Sequence, residues 1–273
     1  MPRPTAPCAR RAAAALLPLL LALGAAPRAA RAQDNYEIQV YGADLVPAGA
    51  TMVELHSNFT AEGRTAVVDG LLATDHAQHE TLEITHGFND WLEVGFYVFT
   101  SVRSGQGWQW VGDHIRPRIA IPASWHWPIG LSLSQEIGYQ RRAFSPDTWT
   151  WEIRPIIDQR LGRWYWALNP AFERSLRGEG VRSGFEFAPN AQVTYDVTPP
   201  VTGSLEYYGA WGPTSRFDPW STTEEQIFPS VDLNLGSAWE FNAGVGFGLT
   251  AHATDRLLLK MILGYRLGGH HPG

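Results

Sequence analysis

Three neighbouring pairs in this 273-residue chain combine residue types that hydrolytic chemistry uses: His56-Ser57, Asp75-His76 and Asp113-His114. Acyl hydrolysis needs a hydroxyl and an imidazole within hydrogen-bond reach on one face, with the imidazole oriented by a third group. Adjacent residues of an extended strand point to opposite faces, so His56 cannot reach Ser57. Asp113-His114 has the same defect, and Asp75-His76 escapes it only by falling in a loop. No Gly-x-Ser-x-Gly elbow or His-Glu-x-x-His motif occurs. His76 and His79, with Asp75 and Glu80, form a loop cluster of metal-ligand types, and His270-His271 lie near the end. A solvated polar loop and a terminal tail are the better readings. The sequence predicts no enzyme, no metal and no cofactor.

A second set of charged residues sits in the middle of apolar/polar alternation. Pairing about a turn near Trp125 brings His114 and Arg116 close to Glu136, with Arg118 on the same face. Pairing about a loop near Phe144 sets Glu136 beside Glu152, with Arg154 below and Glu173 on the next segment. With Glu186 and Glu206 these are the candidate pore-lining residues. A ladder of paired charges is the primary role expected of them; a polar constriction that selects a solute is the second. Glu54, Glu83, Glu93, Glu186, Asp196, Glu206, Asp232 and Glu240 outnumber Lys260 and Arg266 on that face elsewhere, which favours cations or neutral solutes over anions.

The elements that must position these residues are strands. Alternation marks twelve segments, at 51–60, 77–87, 91–100, 111–122, 128–140, 148–159, 164–174, 184–196, 201–210, 226–234, 239–250 and 256–267. Connections alternate between short turns and loops that are longer on average. The tryptophans sort with them. Trp91, Trp125, Trp127, Trp164, Trp166 and Trp239 flank the turns, while Trp108, Trp110, Trp149, Trp151, Trp211 and Trp220 sit at or in the loops. Two aromatic girdles around an apolar band mark a transmembrane β-barrel, with short periplasmic turns, external loops and an even strand number. In a soluble barrel the apolar face would turn inward, yet here the opposite face collects nearly all the strand charges. Twelve strands leave both termini in the periplasm.

Arg3, Arg10 and Arg11 precede an apolar run from Ala12 to Ala26, and Ala30-Arg31-Ala32 offers a small-x-small cleavage site. Residues 1–32 therefore read as a signal peptide and 33–273 as one barrel domain. The lone cysteine, Cys8, falls in the signal, so the mature chain excludes disulfides and thiolate metal sites. The signal removes five basic residues and no acid, leaving 16 basic against 27 acidic residues, which excludes a nucleic-acid footprint. The expected partners are the outer-membrane bilayer, the barrel assembly machinery and an unknown small solute.

The hairpin Gly87-Phe88-Asn89-Asp90-Trp91-Leu92-Glu93-Val94-Gly95 resembles one that recurs in outer-membrane barrels assigned to the meta pathway of phenol degradation. Leu205-Glu206-Tyr207-Tyr208-Gly209 and Leu263-Gly264-Tyr265-Arg266-Leu267 are similar to later signatures of that group. The resemblance implies a porin-like channel for small or apolar compounds and carries over no functional residue. Such barrels usually finish on an aromatic residue, whereas this chain continues past Leu267 to Gly273. The function expected is passive passage of small solutes through a narrow charged lumen. The alternatives are a non-conducting structural or ligand-binding barrel and, more distantly, an outer-membrane enzyme.

Overall fold

The computed structural model describes residues 35–250 and 255–268; the expected signal segment, Cys8 and the tail pair His270-His271 lie outside the described residues. Twelve long strands follow the alternating segments closely. They are β1 (Ala50–Glu62), β2 (Gln78–Asn89), β3 (Leu92–Arg103), β4 (Gly107–Ala120), β5 (Gly130–Gln140), β6 (Asp147–Leu161), β7 (Trp164–Gly178), β8 (Phe185–Thr198), β9 (Val201–Ala210), β10 (Glu224–Leu233), β11 (Trp239–Gly248) and β12 (Leu257–Gly268). Each pairs antiparallel with its sequence neighbours, and β12 pairs with β1 from Leu257↔Glu62 to Gly268↔Ala50, closing the barrel. Gly212–Pro213 adds a short extension against Glu186 and Phe187 of β8.

Closure leaves the outside apolar. Leu55, Leu82, Ile84, Phe96, Ile115, Ile119, Leu168, Val193, Leu205, Phe247 and Leu259 are all exposed on the outer face. They form the band that hydrocarbon would solvate. Aromatic residues rim it at both ends. Trp164 packs on Tyr195 (ring centroids 4.7 Å apart) and Trp239 on Tyr265 (4.6 Å) at the turn end; Trp110, Tyr139 and Trp149 run together at the loop end. Two local departures from the sequence pattern stand out. β3 extends to Arg103 and β4 starts at Gly107, so the connection expected between the 91–100 and 111–122 segments shrinks to a tight turn. In β4, Phe99 faces Gly112 while Thr100 faces Trp110, so Val111 is an extra, bulged residue and turns inward instead of continuing the outer face.

One element was not anticipated. Both barrel ends of the chain, Ala50 and Gly268, do meet at the turn end, as an even strand number requires. The chain before Ala50, however, doubles back through the lumen. The first described residues, from Asn35 onward, therefore do not lie at the turn end. Val46 sits at the turn end beside Glu93, Tyr41 is at mid-depth beside Asn169, and Asn35 reaches Asp255 beyond the loop-end start of β12. The reversal into β1 uses Gly49 at φ 75°, a left-handed conformation that favours glycine, with Ala50 N–H donating to Pro47 O at 2.9 Å.

A barrel this narrow needs empty positions on its inner wall as much as filled ones. Gly138 stands opposite His114, and the imidazole lies where a Gly138 side chain would be. Gly138→Val should destabilise the folded barrel by about 1–3 kcal/mol through overpacking, read as a lower urea midpoint in detergent. Gly203→Ala, where a Cβ meets only Val197 Cγ2 at 3.8 Å and the backbone is not left-handed, should leave the urea midpoint unchanged and serves as the comparison.

Candidate functional site

The inner wall at mid-depth is built from alternate residues of the strands, and the segment at residues 35–47 fills it. An irregular backbone buried in this way must find partners for its N–H and C=O groups. It finds them in wall side chains. Asn169 brackets Tyr41, accepting from its N–H at 2.7 Å and donating to its C=O at 2.9 Å. Asp158 accepts from Ala43 N–H and Glu93 from Val46 N–H, both at 2.7 Å. Thr81 donates to Tyr36 O at 2.6 Å, Lys260 to Ile38 O at 3.2 Å, Gln192 to Val40 O at 3.0 Å and Arg118 to Gly42 O at 2.9 Å. At the loop end Asp255 accepts from Asn35 and Thr74. Burial pushes the Asp255 carboxyl above the usual carboxylate range, and those two donors partly offset the shift.

Apolar contacts add to this. Ile38 and Val40 pack with Ala167, Tyr208, Phe228 and Leu258, while Tyr36 joins Tyr97, Phe99, Val111 and Phe144. Each fully buried side chain of this size contributes roughly 1.5–3 kcal/mol. The lumen is thus partly apolar, beyond the polar lining that alternation suggested.

Between these clusters lies the charged layer. The residues expected to line the lumen fall at inward positions of their strands; His114 meets Glu136 and Glu136 faces Glu152 as the cross-strand arithmetic had it, whereas Arg116 takes a different partner. Arg116 is opposite Gly95, and the missing side chain lets its guanidinium cross to Glu83 (2.7 Å) rather than meet Glu136. Arg118 pairs with Glu93 across the register at 2.7 Å. Glu136 bonds His114. Arg154 grips Glu152 of its own strand through two bonds, at 2.7 and 2.9 Å. Glu206 accepts from Lys260 at 2.6 Å, and also from Tyr208 and Ser230, both at 2.5 Å. The guanidinium carbons of Arg116, Arg154 and Arg118 lie 4.4, 5.3 and 5.7 Å from the centre of the Tyr41 ring. Tyr41 is therefore the hub of the layer.

The expected row Glu136, Glu152, Glu173 holds in register and continues to Glu186 across β5 to β8. Glu173 is exposed and Glu186 half-buried, so this side of the loop end opens to water. Towards the turn end, a cavity of about 280 Å³ lies between the segment and the wall, bounded by Tyr41, Glu54, Glu83, Glu93, Arg116 and Glu240 among others.

The chemical pairs resolve as parity requires. His56 is wholly buried in the lumen, while Ser57 bonds Glu80 on the other face at 2.8 Å. Asp113 accepts from Trp110 Nε1 at 3.0 Å, away from His114. In the loop, His76 and Asp75 do pair, at 2.7 Å. The expected His76–His79 cluster is not formed: His79 already belongs to β2 and points inward against Tyr36, whereas Glu80 points the other way. The lumen segment itself escaped the sequence reading. Its signal was the apolar run Tyr36, Ile38, Val40, Tyr41 and Ala43, too short and too early for a barrel strand.

Fold and lumen together define a small twelve-stranded transmembrane β-barrel with a charged, occupied interior. No known family profile matches the chain, and no curated protein matches it in sequence. Solved structures do match in fold. The COG4313 outer membrane channel from Pseudomonas putida F1 superposes with a TM-score of 0.58 at 11% identity, over 85% of this chain and 100% of that one. The NanC porin gives 0.51 at 7% identity, over 80% of this chain and 100% of that one.

Removing one member of a buried pair strands its partner. Glu93→Gln, which leaves the Arg118 charge without a carboxylate, should cost about 3–5 kcal/mol. Arg142→Gln, which breaks the exposed pair with Glu179, should leave stability unchanged within error. Urea unfolding of both variants in detergent checks the contrast.

Proposed function

We propose that the chain is an outer-membrane channel for small solutes, with its turns in the periplasm and its conductance set by the segment at residues 35–47. The observation that carries this reading is how that segment is held. Its hydrogen bonds run to individual side chains of a polar wall, so it can shift without opening a strand pair. Above it lies the water-exposed row ending in Glu173 and Glu186; below it lies the cavity at Glu83 and Glu93. The two regions are separated by Tyr41 and the arginines around it. The surplus of lumen carboxylates favours cations and neutral solutes.

The fold shared with the COG4313 outer membrane channel and the NanC porin supports this reading. The likeness of the Gly87–Gly95 hairpin to the phenol meta-pathway group extends it to small apolar compounds. The bilayer and the assembly machinery that inserts such barrels follow as partners. A second reading, a non-conducting or ligand-binding barrel, draws on the fully packed contacts around Ile38 and Tyr208 at mid-depth. No catalytic role is assigned to any residue.

Planar-bilayer recording of the refolded mature chain separates the two. A channel predicts small, cation-preferring steps from the wild type. It also predicts steps several-fold larger after deletion of residues 33–45 or in Tyr41→Ala. Silence from inserted protein in all three forms would leave the non-conducting barrel, and anion-preferring reversal potentials would refute the charge argument.

A further inference from the structure

Glu54 and His56 are two residues apart on β1 and so share the lumen face, and the β1–β2 register sets Glu54 directly opposite Glu83. A carboxylate oxygen from each glutamate and a ring nitrogen of His56 lie within 4.8 Å of one another, all three residues being buried. The two oxygens of Glu83 have different surroundings. Oε1 accepts from Arg116 Nη2 and from Thr85 Oγ1, both at 2.7 Å. Oε2 lies 3.3 Å from Nε2 of His56, a charge contact without hydrogen-bond alignment, and Nδ1 of that imidazole has no partner. His56 is 0% exposed. Buried donors and acceptors left without partners cost free energy, so their convergence calls for a ligand between them.

The spacing specifies one. A separation of 3.3 Å is the edge of a tetrahedron whose bonds are about 2.0 Å, the length zinc makes to imidazole and carboxylate. The charge agrees. The adjoining cavity is bounded by five carboxylates (Asp44, Glu54, Glu83, Glu93 and Glu240) against three guanidinium groups (Arg116, Arg118 and Arg266). Carboxyl groups therefore outnumber guanidinium groups around the site. The crowding of acids is enforced by backbone: Gly264 separates Glu54 from Glu240 across the register, and a Cβ there would meet Glu54 Cγ at 3.0 Å and Glu240 Cβ at 3.1 Å.

We propose that Glu54, His56 and Glu83 bind one divalent transition-metal cation of the zinc class inside the lumen, the cavity supplying water for the fourth position. The imidazole ligand argues against calcium and magnesium, which take oxygen donors. Thr85 and Arg116 are positioning residues: they hold Oε1 of Glu83 and thereby aim Oε2 at the metal. The site does not depend on whether the barrel conducts, so failure of one proposal leaves the other standing.

The test is titration of metal-free, refolded mature protein with Co²⁺, followed by displacement with Zn²⁺. One Co²⁺ per barrel is expected, with the intense visible absorption of a four-coordinate ion that one equivalent of Zn²⁺ removes. His56→Gln and Glu83→Gln should abolish the signal in protein that still shows heat-modifiable migration. Thr85→Val should weaken binding on the order of tenfold, and His76→Gln should leave it unchanged. X-ray absorption of the zinc-loaded wild type needs no variant and should show a single imidazole among oxygen donors. Absence of stoichiometric uptake by folded wild type, an unchanged signal in folded His56→Gln, its loss in His76→Gln, or two or more imidazoles at the metal would each overturn the proposal.

Discussion

In hydrocarbon no water is present to pair with an exposed peptide group, so a strand-built protein can cross only if every edge is joined to another. The seam of β12 on β1 is that requirement made visible, and the rest of the molecule follows from it. Closing twelve strands encloses an interior wide enough to admit a further chain segment, and residues 35–47 fill much of it. Residues that alternation turns inward must pack or pair with one another. Arg116, Arg118, Arg154 and Lys260 each have a carboxylate within reach. The glycines opposite Arg116 and His114 provide the space those long or flat side chains occupy.

The lumen segment obeys the same accounting by different means. It lies inside a sheet whose strands have already spent their main-chain groups on one another, so the wall answers it with side chains. Asn169 shows this directly: its amide meets both the N–H and the C=O of Tyr41, as a neighbouring peptide would. Asp158, Glu93, Gln192 and Lys260 each satisfy one further group. The mixed polar and apolar character of the inner wall is intelligible only with the segment in place. Without it Tyr97, Phe99, Tyr208 and Phe228 would be large apolar surfaces facing a polar lumen.

What alternation reports is which face a residue occupies, and that much was legible. Strand positions, the outward band and the register Glu136↔Glu152↔Glu173 all come from counting by two about turns. Counting fails where geometry departs from the ideal lattice or where a partner is not a strand. The bulge at Val111 reverses parity, and its one local mark is the adjoining Gly112, where a Cβ would collide with Tyr139 O. Arg116 finds Glu83 because Gly95 lets a long side chain lean sideways, an effect of absent volume rather than of register. Side-chain chemistry groups His79 with the loop residues Asp75 and His76, although it falls inside the 77–87 alternation, and the strand that begins at Gln78 turns it inward. Residues 35–47 were missed for a related reason: a segment satisfied by side chains needs no periodicity of its own.

These two modes of holding backbone give the molecule a hierarchy of stabilities. Breaking the barrel means parting strand ladders along their whole length, which makes it cooperative and costly. Moving the segment means exchanging a set of separate side-chain bonds, most of them to charged groups that can re-pair or meet water entering from either end. Local opening drawn from the low end of such a range is where proteins place motion. Buried ion pairs fit that role better than they fit stabilisation, because their desolvation offsets much of their attraction. Tyr41 stands where the two modes meet, with its backbone bracketed by Asn169 and its ring under three guanidinium groups. A disturbance of the charged layer and a displacement of the segment are therefore one event, because Tyr41 cannot leave without the arginines losing the ring they share.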